Sequence, residues 1–123
     1  MKTFIEIVNS KSVFLNDWQD VTQEKIFDYF EVGSEEVAGV KILFASYTYE
    51  DYSGDAFVLF IKDGKLFEVN GAHCSCYGLE GQWQPEEIIL EELQNRLTVG
   101  TFGTGWSESG EFRNELREFL GIK

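Results

Sequence analysis

The residues best suited to chemistry in this chain lie within one short stretch, residues 73–76, which read His-Cys-Ser-Cys. This stretch holds the chain's only histidine and both of its cysteines. Imidazole and thiolate groups are the usual zinc ligands in proteins, and a structural zinc site normally has four ligands. His73, Cys74 and Cys76 are therefore candidate ligands of a zinc ion.

Other roles for this stretch stay open. The chain supplies three ligands of this type, so a fourth would be a carboxylate, Glu68 or Glu80, or would come from a second chain. In a thiol mechanism Cys76 could meet His73 across a turn, or the two cysteines could act as a redox pair. The glycine-punctuated loop of residues 71–83 could instead bind a small ligand. The structural alternative is a tight loop filled by small buried cysteines and a hydrogen-bonded histidine.

The second candidate site is a polar turn that combines tyrosines with acidic residues. Tyrosine and tryptophan rings give large contact areas at low entropic cost and are common at binding hot spots. Exposed beside carboxylates, they would form an anionic face for another protein. The alternative is that the tyrosines pack along a twisted hairpin. The predicted partner-binding residues are Tyr47, Tyr49, Glu50, Asp51, Tyr52, Asp55 and Trp83.

Three predicted strands position both candidate sites. Val40–Tyr49 and Ala56–Ile61 are rich in β-branched and aromatic residues, which is typical of strands. Asp63-Gly64 is a strong signal for a two-residue hairpin leading into a third strand, Leu66–Val69. We expect Asn70-Gly71 to end that strand and the cysteine-containing loop to follow.

The first two of these strands are apolar on both faces. Strict alternation places Ile42 and Phe44 on one face of the first strand and Leu43 and Ala45 on the other. Strands of this kind are usually covered on both sides. The sequence therefore predicts helices on both faces of the sheet, or a second subunit on one of them.

Three helices are predicted from their capping and stop signals. The first runs from an N-cap at Asp20 to Gly33, and the second starts at Pro85, with Glu86 and Glu87 in its first turn. The third runs from an N-cap at Ser109 to Gly121, with an apolar face of leucines and phenylalanines. Residues 1–15 fit an edge strand or a helix. We thus expect one α+β domain, residues 1–123, with an antiparallel sheet of three to four strands and about three helices packed on it.

The charge of the chain limits its partners. It has 22 acidic and 10 basic residues, and its formal net charge is −12. Nucleic-acid binding and attachment to anionic membranes both depend on lysine and arginine, so neither is expected. A signal peptide, a membrane span and a disulfide framework are not expected either, which favours the cytoplasm and reduced thiols.

Two runs of sequence carry a resemblance, FASYTYEDYSGDAFVLF and KDGKLFEVNGAHCSCYGLEGQWQPEE. They resemble small acidic proteins encoded by bacteriophages and prophages, whose activity is not established. The resemblance covers roughly residues 40–97. It implies a phage accessory protein that acts in the cytoplasm of a bacterial host, and such proteins often bind and block host machinery.

The sequence does not indicate an enzyme, because familiar phosphate-binding, metalloprotease and hydrolase motifs are absent from it. We expect a protein that binds a host protein through the acidic, tyrosine-rich face. An inhibitor of host defence, or of a complex that handles nucleic acid, is one such function, and the chain would act as a monomer or homodimer. The alternative is a zinc- or thiol-dependent protein that uses the His-Cys-Ser-Cys loop, or a small-ligand binder.

Overall fold

The computed structural model describes residues 1–48, 54–73, 78–99 and 112–122. These residues form four helices and five strands. In chain order the elements are α1 (Phe4–Val8), β1 (Val13–Asn16), α2 (Gln23–Phe30), β2 (Lys41–Tyr47), β3 (Gly54–Lys62), β4 (Lys65–His73), β5 (Glu86–Ile88), α3 (Leu90–Val99) and α4 (Arg113–Leu120). The predicted α+β class is confirmed.

The strands form one mixed sheet in the order β1-β2-β3-β4-β5. The pairs β2-β3, β3-β4 and β4-β5 are antiparallel, whereas β1 lies parallel to β2. The prediction of a purely antiparallel sheet with three to four strands was therefore wrong. A parallel pair needs a crossover connection, and α2 provides it between β1 and β2.

A bulge in β2 changes which side chains share a face. Ile42 pairs with Phe60 and Phe44 pairs with Leu59, so Leu43 is an extra residue between two consecutive pairs. Leu43 and Phe44 consequently pack into the same core cluster, while Ile42 packs into the other. The strict alternation predicted for this strand was wrong because one inserted residue shifts the pattern by one position.

Each face of the sheet carries its own hydrophobic core, as the two-sided strands predicted. One face packs against Ile7 of α1 and against the buried leucines and phenylalanines of α3 and α4. The other packs against α2, Trp18 and Leu79. Phe57 and Phe112 stack at 4.6 Å between ring centroids and join α4 to the sheet.

Helix α2 begins and ends at residues other than those predicted. Its N-cap is Thr22, whose Oγ1 accepts a hydrogen bond from Lys25 N at 3.2 Å. Asp20 lies in the preceding turn with φ of 68°. The C-cap is Glu31, in the left-handed conformation with φ of 54°, two residues before the predicted stop at Gly33.

The segment after Pro85 forms a strand where a helix was predicted. Glu86–Ile88 pairs with residues 66–68 of β4, and α3 begins only at Leu90. Ile88 is buried against the core, whereas Ile89 is exposed. The open edge of β4 explains the difference, because pairing there satisfies backbone groups that a helix start would leave free.

Strand β4 is longer than predicted, because Asn70-Gly71 continues it opposite Phe57 and Ala56. The hairpin turn at Asp63-Gly64 is confirmed, since both residues have positive φ, 53° and 77°.

Both ends of the described chain are helices with well-defined caps. In α4, Gly121 is the left-handed C-cap and the predicted apolar face is buried, whereas Ser109 lies outside the described residues. In α1, Thr3 and Glu6 form a capping box, and the hydrogen bonds from the Thr3 backbone and side chain lower the pKa of Glu6.

Candidate functional site

A glutamine side chain holds the base of the loop that follows β4. Gln82 Oε1 accepts a hydrogen bond from Ala72 N at 2.7 Å, and Gln82 Nε2 donates to Ala72 O at 2.6 Å. The same Nε2 also donates to Gly78 O at 2.9 Å. The amide therefore pairs with the Ala72 backbone as a neighbouring strand would, and it ties together the two ends of residues 72–82.

Small and apolar residues allow Gln82 to make these three hydrogen bonds, which we call the Gln82 clamp. A Cβ atom on Gly71 would lie 3.2 Å from both Gln82 Oε1 and Leu79 Cδ2. Leu79 is itself buried in the core on the α2 side of the sheet. Gly81 has φ of 78°, a conformation that favours glycine, immediately before the clamping glutamine. The glycines that sequence analysis interpreted as loop punctuation thus have specific structural roles.

Trp83 anchors the far side of the same loop. Its ring stacks on Phe60 with centroids 5.2 Å apart, and it meets Phe30 and Phe27 edge-on at 5.2 Å and 5.6 Å. The ring is half-buried in this cluster, so much of the surface that would contact a partner is already used. We call Gly71, Leu79, Gln82 and Trp83 the loop stem.

Of the predicted metal ligands, His73 is the last residue of β4, where its backbone pairs with Gly54. Cys74 and Cys76 lie outside the described residues. In the parts of the chain that the structure describes, no group of three or more histidine, cysteine or acidic residues could hold a metal ion.

The two carboxylates considered as a fourth zinc ligand have other surroundings. Glu68 is 5 % exposed; its Oε2 accepts a hydrogen bond from Arg96 Nη2 at 3.0 Å, and its Oε1 lies 2.9 Å from the same nitrogen in an ion pair. It also precedes His73 by five positions of an extended strand, roughly 16 Å, which excludes it as a ligand beside that histidine. Glu80 Oε1 accepts from Gly78 N at 3.2 Å at the mouth of the loop.

The tyrosine-rich turn is described only at its base. Tyr47 is 8 % exposed, and its ring lies 5.0 Å from that of Trp18 and 5.2 Å from that of Tyr29. Tyr47 therefore packs in the core, which agrees with the alternative that this tyrosine is structural and not part of a binding face. Asp55 is half-buried at the start of β3, and its backbone oxygen accepts a hydrogen bond from Thr48 N at 2.9 Å. The predicted contact residues Tyr49, Glu50, Asp51 and Tyr52 lie outside the described residues.

Trp18 fixes the position of this base. The side chain is fully buried and contacts the rings of Tyr29, Phe30 and Tyr47. Its indole nitrogen is the buried side-chain donor that lacks a hydrogen-bond partner among the residues described. Ring packing rather than polar pairing therefore holds the tryptophan in place.

An acidic segment that sequence analysis missed begins beside the tyrosine-rich turn. Asp17 N donates to Tyr47 O at 2.9 Å, which brings the end of β1 to the base of that turn. From there through α2 and into the connection to β2, residues 17–36 contain seven acidic residues and one lysine, Lys25. The seven carboxylates are all exposed: Asp17, Asp20, Glu24, Asp28, Glu31, Glu35 and Glu36. The local density of acidic residues was the signal that could have revealed it.

Taken together, the fold is α+β, with a sheet covered on both faces. Its candidate sites are the loop after β4 and the tyrosine-rich turn, which the acidic segment adjoins at Asp17. Comparisons of the chain with protein-family models, curated proteins and solved structures found no match. Within the described residues, no helix is long and apolar enough to cross a membrane.

Proposed function

We propose that the chain is a non-enzymatic accessory protein that binds a basic surface on a host protein. The binding face consists of residues 48–55 of the tyrosine-rich turn, without the buried Tyr47, and of the adjoining acidic segment, residues 17–36. A basic site that normally takes nucleic acid has the complementary charge, so this face would compete with nucleic acid for it. The phage origin, and with it a role against host defence, rests on the sequence resemblance alone.

The observation that carries this proposal is the exposure of the acidic segment. None of its seven carboxylates makes an ion pair with any of the described residues. The segment therefore has a local excess of exposed negative charge, which a basic partner would neutralise. The backbone bond from Asp17 to Tyr47 places the start of the segment at the base of the turn, so a partner that contacts the turn can also contact the carboxylates nearest to it.

Charge reversal of the turn tests the proposal. Replacing Glu50, Asp51 and Asp55 together by lysine is expected to weaken binding to the host partner by at least about tenfold, because close opposite charges become like charges. The probe is a panel of purified, basic nucleic-acid-binding proteins of a bacterial host, and affinity is measured by biolayer interferometry at low and moderate salt.

A control variant with the same change in net charge shows whether binding depends on the proposed face or only on the overall charge. Glu92, Glu115 and Glu118 are exposed and lie on α3 and α4. Their reversal to lysine should weaken binding much less. If the two triple variants bind equally, or if no basic protein of the panel binds the wild type, the proposed face is wrong.

A second candidate function is favoured by the loop stem. The loop stem flanks in sequence the stretch that contains His73, Cys74 and Cys76, and ligand-binding or reactive loops are typically positioned by such rigid neighbours. Such a loop would suit a zinc ion, with a fourth ligand from outside these three residues, or a small organic molecule.

Native mass spectrometry of protein purified without chelator tests this second function. A retained zinc ion should add one zinc mass, and changing Cys74 and Cys76 to serine should remove that mass and lower Tm. An added organic mass would indicate a small-ligand binder. A bare polypeptide, with unchanged Tm in the double variant, would rule out the zinc and small-ligand roles.

A further inference from the structure

A groove of about 380 Å³ lies at the opposite end of the sheet from the tyrosine-rich turn. It runs between α1, the start of β4, β5 and the start of α3. Leu66 and Ile88 line it and are buried in the core, while Phe4, Ile89 and Leu90 line it nearer the solvent. The floor of the groove is therefore apolar and is formed by residues of the hydrophobic core.

Exposed apolar side chains concentrate around this groove. Phe4 is 38 % exposed and Ile89 is 54 % exposed, and both line it. Ile5, the neighbour of Phe4 on α1, is 69 % exposed. The described residues contain two more exposed large hydrophobic side chains, Met1 and Val99. Apolar side chains gathered at a concave surface mark an interaction site, whereas a single exposed one does not.

The rim of the groove is acidic. Glu87 and Glu91 line it, and Glu86 and Glu92 are their neighbours in sequence and are exposed as well. Among the described residues one basic side chain lines it, Lys65, whose Nζ lies 3.9 Å from Glu87 Oε1. The apolar floor is thus bordered by more negative than positive charge.

We propose that this groove binds a basic amphipathic segment of a partner protein. Aliphatic or aromatic side chains of the segment fill the groove between Phe4 and Ile89, and its lysines or arginines face Glu87 and Glu91. A second copy of this chain is a poor occupant, because each copy has a formal net charge of −12 and dimerisation would bring two acidic rims together. An apolar groove with flanking carboxylates matches the helix-in-groove mode of peptide recognition.

This inference does not rest on the proposed function, because the two surfaces are separate. β3 spans nine residues, Gly54–Lys62, from the end of the tyrosine-rich turn to the hairpin beside the groove. A strand of that length covers roughly 26 Å. A single partner could contact both surfaces only with an extended region, and each surface can be tested without the other.

Fluorescence anisotropy with two labelled peptides tests the groove. The first is a short helical peptide of leucine and lysine with one apolar face, and the second replaces each leucine by glutamine. The full chain should bind the first peptide at least about tenfold more tightly, because only that peptide can bury apolar surface in the groove.

Two matched substitutions locate the binding. Ile89→Gln should weaken binding of the leucine peptide by about fivefold, since part of an isoleucine is no longer buried against the peptide. Val99→Gln replaces another exposed aliphatic residue, 83 % exposed and outside the groove, and should leave binding unchanged. Both positions are exposed, so circular dichroism should show the fold of the wild type for both variants.

Three results would overturn the proposal. Equal affinity for the two peptides would mean that charge alone attracts them. Equal binding by the Ile89 and Val99 variants would place the peptide elsewhere. Dimerisation in sedimentation equilibrium that Ile89→Gln abolishes would make a second copy the occupant. The lysine-reversed variant of the tyrosine-rich turn should still bind the leucine peptide in a groove-dependent way, which separates this test from that of the proposed function.

Discussion

Replacing Arg96 by methionine should lower the free energy of unfolding by about 3 kcal/mol, the low end of the cost of breaking a buried ion pair. Glu68 is 5 % exposed, and Arg96 Nη2 donates a hydrogen bond to its Oε2 and forms an ion pair with its Oε1. The variant leaves that carboxylate in the core without its cation. The guanidinium end is more accessible, with 37 % of the Arg96 side chain exposed, so water relieves part of the cost. Urea denaturation at neutral pH measures the change.

Two further variants show whether the loss comes from the unpaired charge. Changing Glu68 and Arg96 together to methionine should return stability to within about 1 kcal/mol of the wild type, because an apolar pair can replace a buried ion pair. Lys65→Met breaks the exposed pair with Glu87, whose side chains are 62 % and 54 % exposed, and should cost less than about 0.5 kcal/mol. A double variant as unstable as Arg96→Met would contradict this account.

The sequence could predict the parts of the fold that local signals determine. Asp63-Gly64 predicted its hairpin because both residues adopt positive φ there at low cost. Gly121 predicted the end of α4 for the same reason. The two-sided apolar strands predicted coverage of both faces, because a strand without a polar face has no side to turn to water.

The sequence could not predict the parts that long-range pairing determines. Pro85 and the glutamates after it are a good helix start, yet residues 86–88 complete the sheet at the open edge of β4. The bulge at Leu43 follows from the register of β2 against β3, which depends on packing across both strands. The parallel β1 follows from the crossover through α2, and its four residues carry too little pattern to reveal it.

The candidate sites divide in the same way. Tyr47 and Trp83 were predicted as contact residues because exposed aromatic rings favour binding. Whether these rings are exposed depends on neighbours far along the chain. Trp18 buries Tyr47, while Phe60 and Phe30 cover much of Trp83. The clamp by Gln82 on Ala72 was also missed, since an amide side chain has no periodic pattern that marks it as a strand mimic.

Gly71→Val should lower the free energy of unfolding by about 2–3 kcal/mol and should open the loop stem. The added Cβ alone would lie 3.2 Å from Gln82 Oε1 and Leu79 Cδ2, and 3.6 Å from Phe30 Cε1. Valine adds two methyl groups to that crowded space, so Gln82 must move away from Ala72. Urea denaturation measures the stability, and hydrogen exchange at Ala72 N reports the loss of its bond to Gln82.

The decisive measurement is the coupling between Gly71 and Gln82. Gln82→Ala removes the clamp's three hydrogen bonds in the wild type, but it should cost much less in the Gly71→Val background, where the clamp is already displaced. Gly33→Val is the matched control, since none of the described residues lies within 4 Å of a Cβ there, and it should add independently to Gln82→Ala. If the losses of stability from Gly71→Val and Gln82→Ala simply add in the double variant, the glycine is not needed for the hydrogen bonds of Gln82. Strong coupling would mean that close backbone approach at Gly71 is what allows Gln82 to hold the loop that carries His73, Cys74 and Cys76.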